Sequence, residues 1–196
     1  MSSELHVGVL ALQGDFERHL FRLNSLKVTG REVRSTDDLR DLDGLILPGG
    51  ESTTISLLID RFGMRDSLKE FCGKKGVWGT CAGMIMLAKE TDDERIKPLG
   101  IMDISVSRNA YGRQVHSFHS MVSAELNGSS VMLRASFIRA PIVTDYRQNV
   151  RILSKLNDRP ILLYQKNCLV SSFHTELDDD LSLTKYFLKE FVSIYK

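Results

Sequence analysis

Apolar residues along this chain arrive in two rhythms. Near-continuous runs with β-branched members, from His6 to Leu12, Gly44 to Leu47 and Gly76 to Trp78, predict strands covered on both faces. Between them the spacing lengthens to that of helices. Phe16, Leu20 and Leu23 recur at i, i+4 and i+7 behind Asp15, which can cap such a helix, leaving Glu17, Arg18 and Arg22 for water or a partner and His19 on the exposed side. Glu32-Val33 and their neighbours predict a short second strand and Ser35 to Asp38 a capped turn, while Thr53 to Asp60 and Arg65 to Lys74 predict further helices. Strands alternating with helices imply right-handed crossovers, a parallel sheet, and chemistry at the carboxyl ends of its strands.

The middle of the chain changes character. Strand-like pieces at Ile101 to Val106, Ser117 to Leu126 and Val131 to Ile138 follow one another, with turn signals at Tyr111-Gly112 and Asn127-Gly128, so an antiparallel excursion within a mixed sheet is expected. Further strands follow around Ile152-Leu153, Pro160 to Gln165 and Cys168 to Phe173. A last helix is predicted from about Asp180, with Leu181, Leu188, Phe191, Val192 and Tyr195 largely on one face and Asp178 to Asp180 at its N-terminus. No repeat, low-complexity stretch or linker interrupts the pattern. The expectation is one α/β domain over residues 1–196, three layers deep, with a mixed and mostly parallel sheet between helices.

Composition narrows the function classes. With 26 basic against 25 acidic side chains and a net charge of +1, nothing favours nucleic acid or an anionic membrane as partner. Three cysteines, Cys72, Cys81 and Cys168, have no C-x-x-C spacing, which argues against a disulfide framework and a structural zinc site and for reduced thiols in the cytoplasm. The start lacks a basic segment followed by a long apolar one, and no run reaches the roughly 18 apolar residues of a membrane span.

Candidate chemistry begins at Gly79-Thr80-Cys81-Ala82-Gly83, which closes the apolar Val77-Trp78 and opens the helix-competent run Met84 to Lys89. A sharp strand-to-helix elbow needs small neighbours and pushes its central residue out as a nucleophile, while the helix start favours a thiolate and a developing oxyanion. A lone cysteine is more often a small buried residue, so the remaining pattern has to supply a base. His174 ends an apolar strand two residues before Glu176, and on extended chain the two point the same way. The loop Pro48-Gly49-Gly50-Glu51-Ser52 lets backbone approach a ligand on the same edge. Arg108, Arg113 and Arg139 border the middle strands, where a guanidinium could clamp a carboxylate. His116 and His119 have H-x-x-H spacing, but strand-like flanks put them on opposite faces with no third ligand, so no metal site is expected.

Leu10-Ala11-Leu12-Gln13-Gly14-Asp15-Phe16, Leu47 to Thr54, Gly79 to Gly83, Arg108-Asn109-Ala110-Tyr111-Gly112-Arg113-Gln114, Phe137 to Pro141 and Phe173-His174-Thr175-Glu176 occur in the order and approximate spacing of one family. The chain resembles the glutaminase subunits of pyridoxal 5′-phosphate synthase, which are class I, triad-type glutamine amidotransferases with a flavodoxin-like fold. The resemblance implies that Cys81 attacks the side-chain amide of L-glutamine, His174 carries its proton to the leaving ammonia, and Glu176 orients His174. It implies an oxyanion hole at the backbone of Gly50, after a peptide reorientation, and of Ala82. Gly50, Glu51, Ser52, Arg108, Ile138 and Arg139 match glutamine-binding positions. Ammonia is then expected to pass to a barrel-shaped synthase subunit making the vitamin B6 cofactor, docked near Gln13-Gly14-Asp15, with no metal or cofactor held by the glutaminase itself. Such subunits are nearly silent until docked. One position departs from the family's His-Pro-Glu: Thr175 replaces the proline, which frees a φ angle and removes no reacting group. The alternatives are a weak or inactive regulatory subunit of the same complex and an amidotransferase subunit of another pathway, such as imidazole glycerol phosphate synthesis.

Overall fold

The runs expected to be covered on both faces form the middle of a seven-stranded sheet. The computed structural model describes residues 5–108 and 117–193. In chain order come β1 (His6–Leu10), α1 (Phe16–Ser25), β2 (Thr29–Val33), a single turn of 3-10 helix at Asp37–Leu39, β3 (Gly44–Leu47), α2 (Ser52–Arg61), α3 (Arg65–Cys72), β4 (Gly76–Thr80) and α4 (Ala82–Leu87). Then follow β5 (Ala88–Thr91), β6 (Met102–Ser107), β7 (Phe118–Leu126), β8 (Ser129–Phe137), β9 (Ile142–Tyr146), β10 (Arg151–Leu156), β11 (Arg159–Gln165), β12 (Cys168–Ser171), α5 (Ser182–Phe187) and a π-helical turn, Leu188–Val192. The main sheet has the order β10-β11-β12-β4-β3-β1-β2. From β12 to β2 all neighbours are parallel, and β11 and β10 add an antiparallel edge.

Alternation across the pleat sorts the core into two layers. Leu45, Leu47 and Val77 face a layer closed by α2, α3 and α4, whereas Ile46, Trp78 and Leu169 face one closed by α1, α5 and the β7–β8 hairpin. Each such fully buried side chain stabilises the fold by about 1.5–3 kcal/mol over its exposed state.

The middle strands depart from expectation in one respect. They are antiparallel, β6 with β9 and β7 with β8, but they build a separate three-stranded sheet, β5-β6-β9, and a two-stranded hairpin rather than extending the main sheet. Their burial alternates, as in the inward Met102, Ile104 and Val106 of β6, so one face stays wetter. A strand with one wet face does not fit inside a sheet covered on both sides. The predicted turn at Tyr111-Gly112 and the apolar position Tyr195 lie outside the described residues.

Helix ends also differ. The run Met84 to Lys89 stops helping at Leu87: all of α4 is buried, and Ala88 and Lys89 begin β5 instead. Asp15 heads α1 without a side-chain cap, whereas Glu51 caps α2 by accepting from the Thr53 N–H. The last helix starts at Ser182, whose N–H donates to Asp180 Oδ1 at 2.8 Å. The larger correction is on α1, where His19 and Arg22 are buried with Leu23 rather than exposed. Both find polar partners below the helix, and a satisfied polar group can be buried. No helix among the described residues is long and apolar enough to cross a membrane.

Candidate active site

Because β1, β3, β4 and β12 run parallel, their carboxyl ends share one edge, and four chain segments leave from it: Gln13 to Asp15, Pro48 to Ser52, the Cys81 elbow, and Ser172 to Glu176. Cys81 sits at φ 48°, ψ −102°, a conformation that L residues hold only when the surroundings over-determine it. Here they do. The Cys81 N–H donates to the Ser171 carbonyl at 2.8 Å, and its own carbonyl accepts from the Ile85 N–H at 3.3 Å. Small neighbours are needed for space: a Cβ on Gly83 would lie 2.0 Å from the Leu47 carbonyl oxygen, and one on Gly79 2.6 Å from the Gly83 carbonyl. The Sγ lies 3.9 Å from the Ile138 carbonyl oxygen.

His174 is delivered by the chain leaving β12 and is locked by an antiparallel bridge to the end of β8. Its N–H donates to the Ser136 carbonyl at 2.9 Å, and its carbonyl accepts from the Ser136 N–H at 3.0 Å. The Nδ1 is 2.5 Å from Glu176 Oε1, which leaves Nε2 for the cavity that His174 and Cys81 line together. Burial alone would push the imidazole down; hydrogen bonds to Cys81 and Glu176 and the negative charges of both outweigh it and raise His174 to about 10. Glu176 is 2% exposed. Burial alone would raise its carboxyl, but the charge of His19 and the hydrogen bonds from His174 and His19 hold it well below the usual carboxylate range. The resulting arrangement is a proton-holding imidazole between the Cys81 sulfur and a fixed carboxylate.

A cavity of about 150 Å³ opens over Cys81. Every position expected to bind substrate lines it: Gly50, Glu51, Ser52, Arg108, Ile138 and Arg139, together with Ala82 and His174. The Ala82 N–H opens α4, where helix N–H groups lack intrahelical partners. Arg108 is not free. One arm of its guanidinium is held closely by Glu51 Oε1 and the other donates to Asp93 Oδ2 at 3.0 Å. Asp93 is held well below the usual carboxylate range, mainly by its hydrogen bond from Arg95 and also by that from Arg108.

Of the segment expected to meet a partner, only Asp15 lines the cavity; Gln13 and Gly14 buttress the loop beside it. The Asp15 N–H donates to the Gly49 carbonyl at 3.1 Å, and Gln13 Oε1 accepts from the Glu51 N–H at 2.8 Å, so both peptides next to Gly50 are tied to this segment. Gly14, at φ +100°, leaves no room for a side chain, since a Cβ would sit 1.9 Å from the Gly49 carbonyl oxygen.

His119 is paired with Ser136 Oγ at 2.8 Å, and no cluster among the described residues could hold a metal ion. His116 and Arg113 lie outside the described residues. Three contributors escaped the sequence reading: His19, Arg22 and Asp93. For His19 a signal existed, because residues 16, 19, 20 and 23 complete the i, i+3, i+4, i+7 stripe of an inward face.

Fold and side chains together define a class, the α/β proteins that carry a cysteine, a histidine and a buried acid at the carboxyl edge of a mostly parallel sheet. Comparison with known proteins makes this specific. The chain belongs to the SNO glutamine amidotransferase family, whose sequence pattern matches residues 9–193. It is 47% identical over 184 residues to the pyridoxal 5′-phosphate synthase subunit PdxT of Fervidobacterium nodosum, a match spanning 93% of this chain and 95% of the other. It is 49% identical over 190 residues to the subunit of the same name from Dehalococcoides mccartyi, spanning 94% and 96% of the two. A crystal structure of a glutamine amidotransferase superposes with a TM-score of 0.86 at 43% identity, covering 93% of this chain and 97% of that one.

Proposed function

We propose that this chain, acting as one amidotransferase domain, hydrolyses L-glutamine to L-glutamate and ammonia and delivers the ammonia to a barrel-shaped pyridoxal 5′-phosphate synthase subunit in vitamin B6 biosynthesis. The observation that carries the chemistry is His174, held at 2.5 Å by a buried carboxylate on one nitrogen and lining the same cavity as Cys81. The proton shared by Cys81 and His174 rests on the imidazole, and the sulfur pair forms a bond to the side-chain amide carbon. The carbonyl electrons move onto oxygen, which the N–H groups of Ala82 and, after reorientation, Gly50 stabilise. As that oxyanion collapses, the C–N bond breaks and the imidazolium proton goes to the nitrogen, releasing ammonia and a glutamyl thioester. Water, deprotonated by His174, then attacks the thioester carbon, releasing glutamate and the Cys81 thiolate. Throughout, Glu176 holds the imidazole in one tautomer and offsets its charge.

Glu51 offers a carboxylate to the α-ammonium of glutamine, Arg108 a guanidinium to its α-carboxylate, and Ser52, Ile138 and Arg139 close the walls. Gln13, Gly14 and Asp15 link the partner surface to the peptides around Gly50. Naming of the relatives as synthase subunits supports the partner, and three buried free cysteines support a reducing, cytoplasmic location. No step needs a metal or cofactor. A weak or inactive regulatory subunit has only Thr175 in its favour, and the contact between His174 and Glu176 is intact on either side of it.

The deciding experiment measures glutamate release from glutamine by the purified chain, alone and with the synthase subunit, beside Cys81→Ala. Partner-stimulated release that the alanine variant lacks is expected. Absence of stimulated release in the parent chain refutes glutaminase function, and unchanged turnover in Cys81→Ala removes the nucleophile.

A further inference from the structure

A second histidine shares the acid. His19, on the inward face of α1, is 2% exposed, and its Nε2 lies 3.3 Å from Thr80 Oγ1 and 3.5 Å from Glu176 Oε1. Thr80 is the residue that carries Cys81 at the end of β4. We propose that His19 is a positioning residue for the Glu176 carboxylate, tying the acid that orients His174 to the strand end that presents the nucleophile. This rests on the triad reading of Cys81, His174 and Glu176.

The chemistry of the contact assigns its direction. An ionised carboxylate only accepts, so a deprotonated Nε2 facing Oε1 would oppose lone pair to charge; Nε2 therefore carries the proton and is shared between Oε1 and the Thr80 hydroxyl oxygen. The ring itself is fixed edge-on against Trp78, with centroids 5.5 Å apart. One turn along the same helix face, Arg22 Nε donates to the Glu176 main-chain carbonyl at 3.2 Å, so α1 grips both the side chain and the backbone of the acid. Arg22 is anchored in turn by Asp179 Oδ1 at 3.1 Å.

Glu176 needs that grip. Both histidines converge on Oε1, while Oε2 is buried without a hydrogen-bond partner among the described residues. Rotating the carboxylate would trade the occupied oxygen for the empty one and carry the acceptor away from His174 Nδ1. Threonine at 175 leaves φ unfixed between base and acid, so restraint has to come from packing. His19 supplies it on the side chain and adds to the forces that keep Glu176 ionised.

The test uses His19→Met and His19→Gln in the complex with the synthase subunit. The two replacements are nearly isosteric and differ in whether a donor reaches Oε1. The expected result is a fall in kcat of about 10- to 100-fold for His19→Met, with KM for glutamine unchanged within about twofold, and recovery to within about fivefold of the parent by His19→Gln. Should His19→Met not fold, His19→Asn, whose donor stops short, takes its place with the same expected loss. Parent-like kcat in the donorless variant, equal kcat in the Met and Gln variants, or an effect confined to KM overturns the assignment. Cys81→Ala run alongside separates the two levels: an inactive alanine variant with a fully active His19→Met rejects His19 alone, and an active alanine variant rejects the triad and His19 with it.

Discussion

Gly49→Ala adds a single methyl group and should disable the site without touching any reacting atom. A Cβ at Gly49 would stand 2.3 Å from His174 Cε1 and 3.1 Å from its Nδ1. Carbon atoms in ordinary contact are about 3.5–4.0 Å apart, so relief requires a displacement of roughly 1.2–1.7 Å. Neither backbone yields readily: the Gly49 carbonyl is held by the Asp15 N–H, and His174 is bridged twice to Ser136. The ring is left to swing, and it then loses Glu176 Oε1, at 2.5 Å in the parent. An error of about 1 Å in a catalytic group costs about 100-fold in rate, so kcat should fall by at least that factor. Overpacking should cost a further ~1–3 kcal/mol of stability, with each kcal/mol lowering Tm by about 2–4 °C at this chain length. Because Gly50 rather than Gly49 lines the cavity, KM for glutamine should change little. The assay is glutamate release in the partner complex together with a thermal melt of the free chain. Turnover within threefold of the parent at an unchanged Tm would refute the claim that Gly49 is a glycine in order to admit the imidazole.

Four further outcomes follow from the same geometry. Cys81→Ala removes one of the groups that raise His174, so an NMR titration should show the imidazole titrating lower than in the parent, where it is raised from 6.5 to about 10; coincident titrations would show that no thiol contact exists. The parent's stability from His174 should be complete below pH 6.5 and be lost as pH rises through about 10, while that from Glu176, held below its ordinary 4.5, should be present above pH 4.5 and be lost on acidification; an alkaline limb of Tm against pH as steep in Cys81→Ala as in the parent would contradict this. Asp93→Asn leaves Arg108 without one of its two anchoring charges and should raise KM for glutamine about 5- to 30-fold with little change in kcat, whereas an effect on kcat alone would place Asp93 elsewhere in the mechanism. Thr175→Val removes a buried hydroxyl that has no partner among the described residues and should raise stability by ~1–2 kcal/mol, read as a rise in Tm; a lower Tm would mean that the hydroxyl is satisfied.

What could be read in the chain beforehand divides along physical lines. Hydrophobic rhythm located β1, β3, β4 and β12, because doubly covered strands print an unbroken apolar run, and it put Cys81 and His174 on one edge because parallel strands end together. It missed that β6 to β9 leave the main sheet, since pairing partners depend on contacts far apart in sequence and short strands look alike whichever sheet they join. His19 was misread for a different reason: polarity alone sent it to the solvent, while its position in the stripe with Phe16, Leu20 and Leu23 pointed inward. Arg108 was recognised as a cation near the site, but its engagement by Glu51 and Asp93 arises only when α2, the segment after β5 and β6 meet in space.

That engagement bears on substrate choice. On the proposed reading, the two groups that would take the amino-acid end of glutamine already neutralise one another, Glu51 against Arg108, in the chain as it stands. A zwitterionic ligand can separate them at little net electrostatic cost, since its ammonium replaces Arg108 at Glu51 and its carboxylate replaces Glu51 at Arg108. A simple amide has neither charge to offer and leaves the internal pair intact. A ligand with one charge of the two opens the pair and leaves the other partner without its counter-charge. Asp93 makes the exchange possible without losing the arginine: it holds Nη1 at 3.0 Å, so Nη2 can change partners while the guanidinium stays in the cavity wall. On that reading, selection for a free amino acid follows from a pair of charges that only a ligand carrying both can part.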